Sequence, residues 1–145
     1  MVETVITELN LDPEDSRLEV ESGGPAWGLM KGSAEVFIFI NPGQLQEDGN
    51  YIQIVSPVVK LPDTTDRRHA LYEHVLSLNA RELTGAAFAL KGDTVVLIAD
   101  RSTIDLDPSE VKDLILRIGY YADQYDDQLA SEFGGQRHID KSNTP

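Results

Sequence analysis

Cysteine is absent from this 145-residue chain. That excludes a disulfide framework, a catalytic thiolate and the cysteine-type zinc sites. Positive charge is scarce: 12 Lys and Arg stand against 25 Asp and Glu, for a formal net charge of −13. Phosphate backbones and anionic membrane surfaces attract basic patches, so neither nucleic acid nor a membrane is an expected partner. Long apolar runs are missing too. Runs such as VFIFI, Val36 to Ile40, stop at five residues, far short of the roughly 20 that span a bilayer. The opening MVETVITELNLDPEDS has no basic start followed by a long apolar stretch, so it does not read as a secretory signal, and a cytoplasmic protein is expected. What is present, 41% hydrophobic and 26% charged residues, is an ordinary globular mixture. A single domain over 1–135 is expected, large enough to bury a core, with 136–145 as a flexible tail.

Hydrophobic spacing gives the element order. Val2, Val5, Ile6 and Leu9 recur at helical intervals and predict a short first helix. Leu11 to Gly24 reads as a turn-rich connection, with Pro13 and the Gly23-Gly24-Pro25 breaker. Three strand-like runs follow, AWGLMK (26–31), AEVFIFI (34–40) and YIQIVSPVV (51–59), separated by turn residues as in an antiparallel meander. Pro62 and Asp63 stop the third strand. Thr65 or Asp66 then caps a helix running to about Ala80, with Leu71, Val75 and Leu78 as its apolar stripe. TGAAFAL and TVVLIA form a second hairpin around Lys91-Gly92-Asp93. In LDPSEV, Asp107 is a helix cap, Pro108 the first helical residue, and Glu110 the partner in a capping box; Gly134-Gly135 ends that helix. The fold class is α+β, an antiparallel sheet of about five strands with helices in the order α-β-β-β-α-β-β-α.

No catalytic constellation appears. There is no GxSxG elbow, no phosphate loop in MKGSAE, and no dinucleotide fingerprint in GGPAWG. His69 and His74 are five apart, which does not put both on one helix face, and His138 falls in the tail. The stretch YYADQYDDQLASEFGG (120–135) brings Asp123, Asp126 and Asp127 close together. A metal-dependent enzyme would want a second acidic cluster on a facing helix, and the preceding helix supplies only Glu73 among arginines. Val111, Leu114, Ile115, Ile118, Ala122, Tyr125, Leu129 and Phe133 instead trace one apolar face, which turns the aspartates outward as a solvated side. Arg137 is a candidate counter-charge for them. No metal or other cofactor is expected.

The strands carry the more specific expectation. Phe37 and Phe39 point away from Val36, Ile38 and Ile40, while Tyr51, Gln53 and Val55 point away from Ile52 and Ile54. Trp27 and Leu29 are assigned to the same side as Tyr51 and Gln53. One face thus suits packing against helices, and the other offers aromatic and polar groups for protein contact unless a helix covers it. Trp27, Phe37, Phe39, Tyr51 and Gln53 are the expected partner-binding residues. Gly85, Ala87 and Ala89 leave room for a helix or a second subunit to approach.

Three segments, YIQIVSPVVKLP, LYEHVLSLNARELTGAAFALKGDTVVLIADRST and LDPSEVKDLILRIGYYADQYDDQLASEFGG, resemble the YbjN family, whose fold is similar to that of class I type III secretion chaperones. The resemblance covers about 33–135. It implies a non-enzymatic protein-binding module, a chaperone or assembly factor that holds an extended segment of another protein, working as a homodimer. The first helix is short for that fold. Similarity to versions from photosynthetic bacteria implies service to an assembly such as a carboxysome or photosynthetic complex rather than secretion. The alternatives are a regulatory or sensory ligand-binding domain, and a metal-dependent enzyme using Asp123, Asp126 and Asp127.

Overall fold

The computed structural model describes residues 1–21, 24–45, 47 and 49–137. They form helices α1 (Val2–Glu8), α2 (Pro13–Ser16), α3 (Thr65–Arg81) and α4 (Pro108–Phe133), and strands β1 (Arg17–Leu18), β2 (Ala26–Lys31), β3 (Ala34–Pro42), β4 (Asn50–Lys60), β5 (Ala87–Lys91), β6 (Thr94–Ser102) and β7 (Gln136–Arg137). The strands make one antiparallel sheet in the order β1-β2-β3-β4-β6-β5, with β7 beside the end of β4. The α+β class and the order of the main elements are as expected. Two short strands and a four-residue helix are additional.

The core lies between one face of the sheet and the helices. Register sets Ile38 opposite Ile54 and Trp27 opposite Ile38, and Ile38 and Ile54 are fully buried. Against them α4 lays Val111, Ile115, Ile118, Ala122, Tyr125 and Leu129, the stripe that the spacing predicts. Val5 and Ile6 of α1 and Leu71 of α3 complete the same cluster. Gly119 lets α4 lie close on the β2–β3 hairpin: a Cβ there would lie 2.6 Å from Lys31 Cγ, so a larger residue makes the Lys31 side chain or the helix shift.

Helix boundaries follow local chemistry. Asp107 caps α4 by accepting from the Glu110 amide at 3.0 Å, and Pro108 opens the first turn. The capping box stays open, because the Glu110 carboxylate pairs with Arg101 of β6 instead. Thr64, one residue earlier than expected, caps α3.

Three features depart from the sequence pattern. Within the turn-rich stretch 11–24, Asp12 caps the one-turn α2, and Arg17–Leu18 pair with Trp27 and Ala26 as β1. A bulge between Pro57 and Val59 shifts the register of β4, so that the consecutive Val58 and Val59 are both buried. Pro57 fits there because it has no amide to donate to a ladder, and a bulge bends the strand that carries it. Finally, Gln136–Arg137, expected to start the tail, join the sheet against Val59 and Lys60. The remainder of that stretch, 138–145, lies outside the described residues, and with it His138.

Candidate functional site

No described helix contributes to the second face of the sheet. Strand β3 shows the division directly. Val36 and Ile38 are fully buried under the helices, whereas Phe37 and Phe39, one step out of phase, are half-buried. Register aligns Phe37 with Val55, Val55 with Ile98 and Ile98 with Ala87, a row crossing four strands on that open side. Val55 and Val96 are buried yet stand outside the helix-side cluster, because neighbours on their own face cover them.

Curvature turns this face into a hollow of about 400 Å³. Phe37, Phe39, Val55, Pro57 and Val96 form its floor, and Leu18 and Val20 form one wall. The two phenylalanine rings lie nearly parallel, with centroids 6.3 Å apart. Gly28 lets β1 close over that edge: a Cβ would meet Leu18 Cδ1 at 3.1 Å. The Lys91 ammonium reaches over the Phe39 ring, 5.8 Å from its centroid. Further along the same face, Gln53 is paired in register with Asp100, and Tyr51 lines a second depression with Pro42, Leu45 and Asp100.

Four of the five expected contact residues, Phe37, Phe39, Tyr51 and Gln53, therefore share one open surface. Trp27 does not. It belongs to the helix-side core with 6% exposure, and the Arg17 guanidinium lies 5.0 Å from its ring centroid. Leu29 goes with it. The assignment failed because strand alternation leaves two choices of phase, and only the register with β3 selects between them. Leu18, Val20, Pro57 and Lys91 were not foreseen at the site. The first two lie in a stretch with no strand periodicity, whereas Pro57 and Lys91 continue the alternation of Val55 and of Ala87 and Ala89, a signal the sequence did carry.

The sheet edges differ from the face. The amide of Asn79 on α3 both donates to the Phe88 carbonyl, at 3.2 Å, and accepts from the Phe88 amide, at 2.7 Å. The outer edge of β5 is thereby occupied at its centre, where an added strand would need those groups. Beside it lies an apolar patch of Tyr72, Val75, Leu76, Phe88 and Leu90, with Leu76 64% and Leu90 51% exposed.

The aspartates of α4 have structural partners. Asp123 accepts from the amide and the hydroxyl of Ser33, and Asp126, buried rather than outward-facing, accepts from the same hydroxyl at 2.8 Å. The Ser33 bonds hold the Asp123 carboxyl below its ordinary pKa. Gly32, at φ 62°, makes the tight turn that presents Ser33 to them. Asp127 pairs with Arg137. Among the described residues, no group of three or more His, Asp or Glu side chains is arranged to hold a metal ion. Nor is any described helix long and apolar enough to cross a membrane.

A curved antiparallel sheet with helices on one face and an open hollow on the other defines a class of small α+β binding folds. Comparison with known proteins identifies which. The model of the family of T3SS (YopN, CesT) and YbjN peptide-binding chaperones, TY-Chap1, matches residues 1–141, and the chain belongs to that family. Among solved structures, a chain in the crystal structure of the ExsC–ExsE complex aligns with a TM-score of 0.55 at 13% identity, over 88% of this chain and 89% of that one. At that identity the match speaks for the fold. No curated protein sequence matches the chain.

Proposed function

We propose that this protein is a non-enzymatic module that holds an extended segment of a partner protein on the open face of its sheet. Phe37, Phe39, Tyr51 and Gln53 make the contacts. One observation carries the reading: two stacked phenylalanines lie in a concave apolar hollow that no described helix covers. Membership of a peptide-binding chaperone family supports it. Because Asn79 occupies the β5 edge, the segment lies across the face with its apolar side chains as anchors rather than extending the sheet at β5. Trp27 acts at most by supporting the sheet from behind. The resemblance to versions from photosynthetic bacteria supports a partner in a large assembly such as a carboxysome or photosynthetic complex.

The test is capture from native lysate, read by mass spectrometry, with the wild type and with Phe37→Ser/Phe39→Ser. Partners retained by the wild type are expected to vanish with the double variant while it still unfolds in one cooperative transition. Unchanged capture overturns the surface assignment.

The same reading includes a homodimer. The exposed Leu76 and Leu90, within an almost wholly apolar patch, support α3 and β5 as the contact. Light scattering is expected to give a dimer that Leu76→Glu converts to a monomer. A wild type that stays monomeric at every concentration would exclude it.

A further inference from the structure

The open face is not electrically neutral along its length. The hollow is bounded by Lys91, whose ammonium lies over Phe39. The row of Phe39 continues across the sheet through Gln53 to Asp100 on β6, beside the depression that Tyr51 lines. Asp100 is exposed, and among the described residues its carboxylate makes no hydrogen bond or ion pair. The α4 carboxylates beside β6 are engaged: Glu110 pairs with Arg101, the neighbour of Asp100, and Asp113 pairs with Arg117. Asp100 is thus an unspent charge placed on the binding face. Glu19 on the rim of the hollow adds a second negative group. The whole chain, at −13, favours an approaching cation over an anion.

Spacing turns this into a pattern. Same-face residues on a strand are roughly 7 Å apart. Val96 lines the hollow, Ile98 is one step beyond it, and Asp100 is two steps beyond. A segment lying along β4 and β6 with an apolar side chain over Val96 therefore carries the residue four positions away over Asp100. A basic side chain completes that site, whereas an acidic one meets an exposed like charge.

We infer that the partner segment is an extended basic one, with an apolar anchor over Val96 in the Phe37–Phe39 hollow and a Lys or Arg four residues away paired with Asp100. The inference rests on the open face being the binding surface. Asp100 sets the direction and the choice of segment, and the hollow supplies the affinity.

Short synthetic peptides test it. They alternate serine with apolar residues, carry one phenylalanine, and place lysine, glutamine or glutamate four positions after it. Fluorescence anisotropy with the full chain at low salt is expected to show the lysine peptide binding about threefold tighter than the glutamine one and about tenfold tighter than the glutamate one, the scale of an exposed charge pair. Asp100→Lys is expected to reverse that order. Glu3→Lys, the same charge change on α1, is expected to preserve it. If the two variants shift affinities alike, the preference belongs to the field of the whole chain and the Asp100 site is overturned. Equal binding of the three peptides, still lost in Phe37→Ser/Phe39→Ser, overturns the basic preference alone. Binding of no peptide, or binding that ignores the double variant, overturns the surface reading with it.

Discussion

The two faces of the sheet are built from the same strands with similar apolar residues, yet they are finished differently. On one, Ile38, Ile52 and Ile54 reach zero exposure beneath α4. On the other, Phe37 and Phe39 stay half-buried beside Val55 and Pro57. Hydrophobicity is common to both, and cover is what separates them. An apolar face that a chain leaves uncovered costs solubility and invites association, so its retention marks contact with something else.

Substitutions can break that comparison or sharpen it. The largest effect falls on the covered side: Ile118→Ala, at a position with no exposure, is expected to lose about 3 kcal/mol of stability in urea unfolding. A loss equal to that from Phe37→Ala would erase the distinction between the faces. Phe37→Ser/Phe39→Ser comes next, with partner capture lost and stability lowered by about 2 kcal/mol, since both side chains are partly buried. Ser33→Ala is smaller still. It removes hydroxyl bonds to Asp123 and Asp126 and is expected to cost about 1 kcal/mol without touching peptide binding.

The smallest effect is one of pH. The Asp123 carboxyl is held below its ordinary value, so its contribution is complete at neutral pH and fades as acid protonates it below about pH 4. Unfolding midpoints measured down that range are expected to fall less steeply for Ser33→Ala than for the wild type. Parallel curves would assign the acid sensitivity to other groups.

Much of this architecture is legible from local pattern. The capped start of α4 at Asp107, its stripe from Val111 to Leu129 and the alternation in β3 are each set by neighbours within a few residues. Legibility ends where distant residues decide. Trp27 takes its face from pairing with Ile38. The bulge after Pro57 breaks the period of two. Asp126 looks solvated by spacing, and it is buried because a hairpin 93 residues earlier in the chain delivers Ser33 to it. The open face itself was foreseen only as one of two outcomes, since no feature of VFIFI states whether a helix will lie upon it.

Asn79 has a consequence for how concentrated this protein can become. A molecule with an uncovered apolar sheet face runs the hazard of associating with copies of itself, chain upon chain without limit. By spending its amide on both polar groups of Phe88, Asn79 takes one pairing site of the β5 edge away from such growth. Replacing it with alanine would free that site, and slow, concentration-dependent polymerisation, followed by turbidity and a β-sheet dye, is the behaviour expected of the variant.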